Sequence, residues 1–509
     1  MRSLFYSLFK MKLSVNEILL LGFVGILILV PTLQYERWGI DHLYNNKRLI
    51  ELGLFGLAAI LIIVSSQLRE QISIFYNLLS INTQLTILAI FFIGGASCMF
   101  AKMPDWALLE FAHYLMLAIL IFFVGSIAFI GLNKAIMYLK FAVIGVVFFY
   151  LARVSFFYVL YQFGIEPLWP GSLNGKALYS FSYVRFFNQV QTWTIPIIVS
   201  LGWYYWQLSK KQWIRFGIAA LIVGWGILVI ASGGRGTILG VVTGALVVWA
   251  FLVKKKGRFF SYNVILAVLT LFGHYVFFDV LGESTKQTIQ RSSSSGRFDN
   301  WINLIPELLE KPFIGYGPMH YASIKFDNPW GHPHNWFLQF GYEWGGMAAC
   351  LMLILFLMGL YKFGQQLNFN LNDPNYSKQR YWLKFGLLWS LIAGFVHSFF
   401  SGLIVMPLSQ LWLVLIVGVS MGFYFEEKPG IKNASNLSRR GHLLVIGVIA
   451  VSFLGFAYWG SQHSIDRSQV DAHFYKENKS SRSYPRYWQQ GKIGLKGLNK
   501  SEKSSKSNL

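Results

Sequence analysis

Apolar runs of about 20 residues recur along almost the whole chain, from residue 18 to residue 460. A helix of about 20 residues crosses the hydrocarbon core of a bilayer, because each residue adds about 1.5 Å of length. The runs are continuous and do not alternate between apolar and polar residues, which argues against the strands of a membrane barrel. Only 13% of the 509 residues are charged, too few to cover a soluble protein of this size. We therefore predict an all-α polytopic membrane protein.

The pattern predicts about 12 to 13 transmembrane helices. These predicted spans cover residues 17–35, 49–66, 84–103, 106–131, 137–161, 190–208, 213–232, 235–253, 262–281, 336–361, 383–403, 407–425 and 442–460. They divide the chain into nine spans in residues 1–281, a polar loop in 282–335, four spans in 336–460, and a polar tail in 461–509. The tail is rich in Ser, Lys and Asn, and we expect it to be largely disordered.

The net charge of +22 comes mostly from short basic clusters between the spans. This distribution is typical of topology-determining charge beside anionic membrane lipid, so nucleic acid is not an expected partner. With a cytoplasmic N-terminus, four successive connections on the inner side are basic. They carry Lys210, Lys211 and Arg215; Lys254, Lys255, Lys256 and Arg258; Lys362, Lys378, Arg380 and Lys384; and Lys428, Lys432, Arg439 and Arg440. The exceptions lie on the outer side and include Arg185, Arg235, Arg291 and Arg297.

Residues 291–346 interrupt the apolar spans on this outer side, and we call them the polar segment. A segment of this length between spans is usually functional or disordered. Apolar residues recur at helical spacing after Gly296, which predicts a short amphipathic helix that ends before Pro312. Arg297 begins this helix, and a helix N-terminus and a cation together favour an anion. Gly315 and Gly317 then predict a turn.

His334 immediately precedes a predicted span, at the same membrane boundary as Arg235 in its short SGGRG turn. Arginine is the preferred bidentate partner of phosphate oxygens, and a neutral histidine can accept a proton from a hydroxyl. Either residue type alone is more often an interfacial anchor, but their combination with Arg297 on one side favours a site for a lipid-linked phosphate.

Other chemistries are less well supported by the sequence. His320, His332, His334 and Asp327 lack standard zinc spacing, so we expect no metal site. We find no phosphate-binding glycine loop and expect no nucleotide cofactor. A polysaccharide or lipid transporter is an alternative of another class, and it predicts ionisable residues near the bilayer midplane. The spans are nearly free of such residues; the exceptions are Glu110, His113, Lys140, Arg153 and His397.

Four motifs together resemble the C-terminal half of the bacterial O-antigen ligase, O-antigen polymerase and protein O-oligosaccharyltransferase superfamily. They are SGGRGTILG at residues 232–240, SGRFDNW at 295–301, KPFIGYGP at 311–318 and HNWFLQFGYEWGG at 334–346. Ala348 stands where ligases tend to have a further glycine, which leaves the subtype open.

The resemblance implies a glycosyltransferase of the multi-span GT-C type in the bacterial inner membrane, with its site facing the periplasm. It implies an undecaprenyl-diphosphate-linked glycan as donor and no cofactor. On this basis Arg235 and Arg297 bind the diphosphate, and His334 is the base in an inverting transfer. The further candidate substrate-binding residues are Arg185, Gln189, Arg291, His332 and Asn335. The acceptor is lipid A core, a pilin-like protein or, in a repeat-unit polymerase, the growing glycan.

Overall fold

A computed structural model describes residues 15–29, 43–165, 181, 183–252, 256–281, 296–324, 330–371, 373, 375–427, 445–456, 458, 460, 485–488 and 491–493. Of these residues 84% are helical, and none of them forms a strand. The helices are α1 Val15–Leu29, α2 Leu43–Val64, α3 Ser66–Asn77, α4 Ile81–Met99, α5 Pro104–Ile130, α6 Leu132–Gln162, α7 Val184–Leu208, α8 Gln212–Ala231, α9 Arg235–Leu252, α10 Lys256–His274, α11 Arg297–Glu310, α12 His320–Ile324, α13 Trp336–Trp344, α14 Gly346–Leu371, α15 Lys378–Ser398, α16 Pro407–Glu426 and α17 Val445–Phe456.

Each predicted span overlaps one of these helices. Seven helical stretches are long and apolar enough to cross a membrane, and eight if the bent pair of α2 and α3 forms one span. Helices α7 and α15 are not among the seven. Their polar residues, such as Gln191 and Ser390, are buried against other helices instead of facing lipid. The all-α polytopic membrane class is confirmed.

Two predicted spans are interrupted in the structure. The helix axis turns by 100° between α2 and α3, where the Ser65 side chain caps α3 by accepting a hydrogen bond from Leu68 N at 3.2 Å. The span predicted at 336–361 is divided at Gly345, whose φ is +99°. A Cβ at Gly345 would lie 2.2 Å from the carbonyl oxygen of Phe313, so only glycine fits where this break packs on the polar segment.

Hydrogen bonds bring the starts of α7 and α9 together with the turn that follows α15. Thr237 Oγ1 donates to the Asn188 carbonyl at 2.8 Å, and Gln189 Nε2 donates to Ser401 Oγ at 3.2 Å. Helix α7 packs against both α9 and α15, while α16 packs against α5. One end of the bundle therefore gathers chain segments that are more than two hundred residues apart in sequence.

Helix α11 is the predicted amphipathic helix. It begins at Arg297 after Gly296, which has a φ of +75°, and ends at Glu310 before Pro312. Leu304 is buried, whereas Ile302 and Leu309 are 65% and 66% exposed. An apolar face left open by the protein is typical of a helix that lies in a membrane interface.

A short part of the C-terminal tail, residues 485–488 and 491–493, is buried against the bundle, which the expectation of a largely disordered tail did not specify. Arg486 is fully buried and Trp488 is 1% exposed, and both pack at the end of the bundle that holds the polar segment. The physical reason is a pairing that tail composition does not reveal: Arg486 bonds to two buried carboxylates, those of Glu110 and Glu343. The expectation for the rest of the tail falls on residues outside those described.

Candidate functional site

Three arginines lie at the starts of three helices at this end of the bundle. Arg185 is in the first turn of α7, Arg235 begins α9 and Arg297 begins α11. Arg297 is partly buried, and its Nη1 donates to the Phe400 carbonyl at 2.6 Å. Burial, followed by the positive charges of Arg185 and Arg235, lowers the pKa of Arg297 to about 10. Arg185 and Arg235 are therefore each close enough to Arg297 to repel its guanidinium group.

Such a cluster of like charges favours an anion that neutralises it. Neither Arg185 nor Arg297 forms an ion pair with a carboxylate in the part of the chain that the structure describes. Arg185 instead stacks over the Tyr183 ring, with its guanidinium carbon 5.3 Å from the ring centroid. The positive charge at this point therefore suits an anionic ligand.

The tight turn before α9 fixes the position of Arg235. Asn188 on α7 donates from Nδ2 to Ser232 Oγ at 2.5 Å. Gly233 has a φ of +65°, and a Cβ at Gly234 would lie 3.0 Å from Asn188 Nδ2. The Ser-Gly-Gly sequence therefore lets the turn lie directly on α7, so that Arg235 is held at the helix start.

A network of buried polar side chains from α7, α9 and α15 lies next to the turn before α9. Thr192 Oγ1 lies 2.8 Å from Thr237 Oγ1 and 2.7 Å from His397 Nδ1. A Cβ at Gly236 would lie 2.5 Å from His397 Nε2, so α9 and α15 are in close contact here. His397 was not among the residues that the sequence predicted for the site. The available signal was the run of polar residues within the predicted span at the start of α7, because polar side chains in a span need buried partners.

His334 lies in the turn that leads into α13 and has an unusual backbone. Its φ is +58°, a conformation that costs of order 1–3 kcal/mol for residues other than glycine and that clusters at functional sites. Hydrogen bonds fix the turn at the residues before and after His334. Trp301 Nε1 on α11 donates to the Pro333 carbonyl at 2.7 Å, and Asn335 caps α13 by accepting from Leu338 N at 3.1 Å.

The two histidines of this turn are in contact. His334 N donates to His332 Nδ1 at 3.2 Å, and the ring centroids are 4.1 Å apart. Burial, then His332, then the positive charges of Arg297 and Arg185, lower the pKa of His334 well below its ordinary value. Its imidazole is therefore neutral at pH 7, and its Nδ1 has no hydrogen-bond partner among the described residues. A neutral imidazole beside a cluster of cations can accept a proton from a hydroxyl.

The other residues that the sequence singled out do not all lie beside the arginines and the histidine pair. Gln189 lies near the arginine cluster on α7, is 1% exposed, and its Oε1 has no hydrogen-bond partner within the described ranges. His320 lies apart from the histidine pair and stacks on the Tyr316 ring at 4.9 Å. The described residues contain no group of three or more His, Cys, Asp or Glu side chains arranged to hold a metal ion. Arg291 and Asp327 lie outside the described residues.

Part of this region is similar in sequence to a known protein family. The family model described as O-antigen ligase matches residues 218–353. This range contains Arg235, Arg297, His332 and His334, whereas Arg185 and Gln189 precede it. A search of curated proteins finds no match. The predicted resemblance to the O-antigen ligase superfamily is confirmed by this match, which covers residues 218–353.

Proposed function

We propose that the protein transfers a glycan from an undecaprenyl-diphosphate-linked donor to an acceptor hydroxyl at the periplasmic face of the bacterial inner membrane. The observation that carries this proposal is that Arg297, which feels the positive charges of Arg185 and Arg235, lies near a neutral histidine, His334, at one end of the bundle. The cations suit the diphosphate of the donor, and the histidine suits the hydroxyl of the acceptor. The family match supports ligase-type chemistry in general.

The proposed reaction is a single displacement with inversion at the anomeric carbon. The acceptor oxygen attacks that carbon while the bond from the carbon to the diphosphate oxygen breaks, and the leaving diphosphate keeps the electron pair. His334 takes the hydroxyl proton. Arg235 and Arg297 neutralise the charge that develops on the leaving group, which is the effect expected of cations preorganised around a transferring phosphate. Because diphosphate is already a good leaving group, the proposed step uses neither a metal ion nor a nucleotide.

The surrounding residues have supporting roles in this proposal. Arg185 adds a third positive charge to the diphosphate site, and Arg291 is a further candidate for the same role. His332 holds the strained backbone of His334 through the bond from His334 N to His332 Nδ1. Gln189 offers its unpaired Oε1 to a donor or acceptor hydroxyl. Asn335 fixes the start of α13 next to the base by accepting from Leu338 N, and its amide nitrogen is a further candidate for a substrate contact.

The buried charges favour a transferase over the transporter alternative. A transporter is expected to place its ionisable residues near the bilayer midplane. Arg48, Glu110 and Lys384 all lie within about two turns of the starts of α2, α5 and α15. Each is paired: Arg48 with Glu51, Glu110 with Arg486, and Lys384 with Glu427. These three paired groups lie near the ends of their helices and not at the middle of the bundle, which supports the transferase.

Deletion of the gene in the source bacterium tests the function and selects the acceptor. Loss of polymer-capped lipopolysaccharide on gels is the expected result for a ligase that uses lipid A core. Loss of glycan mass from pilin is expected for transfer to protein Ser or Thr, and collapse to single repeat units for a polymerase. A plasmid copy of the wild-type gene should restore the lost product. If none of the three glycans changes in the deletion strain, the proposed function is wrong.

A further inference from the structure

A short stretch of the C-terminal tail is inserted between the helices and the polar segment. We call residues 485–488 and 491–493 the C-terminal strap. Trp488 and Ile493 of the strap pack in one apolar cluster with Leu109 of α5 and with Met319 and Ala322 of the polar segment. Ile493 N also donates to the Ala322 carbonyl at 3.3 Å. The strap is therefore part of the packed structure around the candidate site.

Arg486 joins two helices through their buried carboxylates. Its Nε and Nη2 donate to the two carboxylate oxygens of Glu110 on α5, at 2.9 and 2.8 Å. The same Nη2 also donates to Glu343 Oε2 on α13. The guanidinium is fully buried, and Glu110 and Glu343 are 4% and 1% exposed. A planar guanidinium can bridge two carboxylates in this way, whereas an ammonium group can act only as a point charge.

The carboxylates that Arg486 neutralises also bind the backbone of the polar segment. Glu110 Oε2 accepts from Met319 N at 3.1 Å, and Glu343 Oε1 accepts from Tyr321 N at 3.2 Å. Met319 has a φ of +64°, so its backbone is held in a conformation that it does not favour. Without the guanidinium, the two like charges would face each other in a buried space, and this arrangement would be unstable.

The contacts continue from the strap to the helix that carries Arg297 and to the helix that follows His334. Tyr321 donates from its hydroxyl to Asn300 Oδ1 on α11 at 2.9 Å, and α11 begins at Arg297. Glu343 lies in α13, whose capped start directly follows His334. On its other side the strap is fixed to α2. Tyr44 donates from its hydroxyl to the Arg486 carbonyl at 2.6 Å, and Arg48 Nε donates to the Tyr487 carbonyl at 3.1 Å.

We propose that the C-terminal strap is a positioning element for glycan transfer and that Arg486 is its positioning residue. Arg486 clamps α5 to α13 and holds residues 317–324, so that α11 and α13 present Arg297 and His334 to the same substrate. The catalytic consequence rests on the proposed function, whereas the clamping of residues 317–324 does not. Misplacement of reacting groups by about 1 Å can cost about 100-fold in rate, so a clamp of this kind has a measurable effect on turnover.

The test substitutes Arg486→Lys, which keeps the charge but removes the bidentate bridge. We expect kcat for transfer to fall by about 10- to 100-fold, with a smaller change in KM for the lipid-linked donor. A second measurement needs no activity. In a Cys350→Ala background, Ser323→Cys places a thiol at a position that is 5% exposed. A water-soluble maleimide should label this thiol at least about 10-fold faster when Arg486 is also Lys, because opening of the polar segment exposes it.

Lys384→Arg is the matched control. Lys384 is a fully buried cation paired with Glu427, and it lies at the opposite end of α15 from the candidate site. This variant should keep wild-type turnover. The thiol of Ser323→Cys should be labelled in it as slowly as in the protein with Arg486 intact. If Arg486→Lys does not fold, Tyr44→Phe removes one anchor of the strap without changing charge. It should accelerate labelling in the same direction.

Three outcomes would overturn the proposal. The first is wild-type turnover and labelling in Arg486→Lys. The second is unchanged labelling in Tyr44→Phe when the lysine variant does not fold. The third is a loss of turnover in Arg486→Lys and Lys384→Arg that simply follows their loss of thermal stability. If the wild-type protein transfers no glycan, the proposed function fails, while the labelling rates still decide whether the strap clamps the polar segment.

Discussion

Substitution of His334 by alanine, asparagine or glycine is expected to reduce glycan transfer by about 10²- to 10⁴-fold, the usual contribution of a general base. The physical reason is that each substitution removes the neutral imidazole beside the arginine cluster and leaves no group to take the acceptor proton. The measurement is the initial rate of transfer by protein reconstituted in lipid. Membrane insertion and yield should be unchanged, because the residue is in a turn outside the packed helices.

The three substitutions separate the base from the backbone. The φ of +58° at His334 strains alanine, but asparagine tolerates it better and glycine adopts it freely. If the backbone alone mattered, the asparagine and glycine variants would retain transfer. His320→Ala is the matched control, since His320 lies on the same segment and stacks on Tyr316. Wild-type transfer by His334→Asn would remove His334 as the base.

The pH dependence gives the same test without a substitution. Burial, His332 and the nearby arginines lower the pKa of His334, so the imidazole loses its proton at a lower pH than an ordinary histidine. We therefore expect kcat/KM to stay constant as the pH falls to about 6.5 and to decrease only below that value. Bound diphosphate offsets the positive charges, so the acidic limb of kcat should lie at a higher pH than that of kcat/KM. An acidic limb of kcat/KM above pH 6.5 would contradict this assignment.

Substitution of Arg297 by methionine is expected to reduce transfer by about 10²- to 10³-fold, as loss of a preorganised electrostatic group does in other enzymes. Arg297→Lys should retain part of the activity, because it keeps the charge and loses bidentate binding to phosphate oxygens. The measurement is kcat/KM for the lipid-linked donor at fixed ionic strength. Full activity of the lysine variant would indicate a point-charge or anchoring role instead of bidentate binding.

Thermal stability provides a second result for Arg297. Burial and the charges of Arg185 and Arg235 lower its pKa to about 10. Arg297 is still protonated at pH 7, but its charge is less stable in the unliganded folded protein than in the unfolded chain. Methionine removes this repulsion, although it also removes the hydrogen bond to the Phe400 carbonyl. We therefore expect Arg297→Met to melt no lower than wild type while it loses transfer. Arg380→Lys is the control, since Arg380 pairs with Glu426 at the opposite end of α15.

Local sequence signals predicted the elements that depend on neighbouring residues. The apolar spacing after Gly296 and the following Pro312 predicted α11, because amphipathic periodicity and helix stops are local properties. The failure of Arg185, Arg235 and Arg297 to follow the charge distribution of the other connections indicated that they share a role. In the structure Arg185 and Arg235 both lower the pKa of Arg297, so these two arginines lie near Arg297, while their shared role stays a prediction.

Features that depend on distant partners were not predictable in this way. The polar composition of the tail gives no sign that Arg486 is buried, because its partner Glu110 lies 376 residues away in sequence. His397 is similarly placed beside the site by the packing of α15 against α9, which no periodicity specifies. The 100° turn between α2 and α3 was likewise not predicted, since the apolar run continues across it as one predicted span, 49–66.

The most direct measurement of the central claim is a reconstituted reaction with a polyprenyl-diphosphate-linked glycan and each class of acceptor in turn. Released polyprenyl diphosphate and glycan joined to the acceptor are measured together. We expect wild-type protein to form the two products in equal amounts with one acceptor class, and His334→Asn to form neither at a comparable rate. An intact donor after incubation of wild-type protein with lipid A core, pilin-like protein and free glycan acceptors would contradict the proposed function.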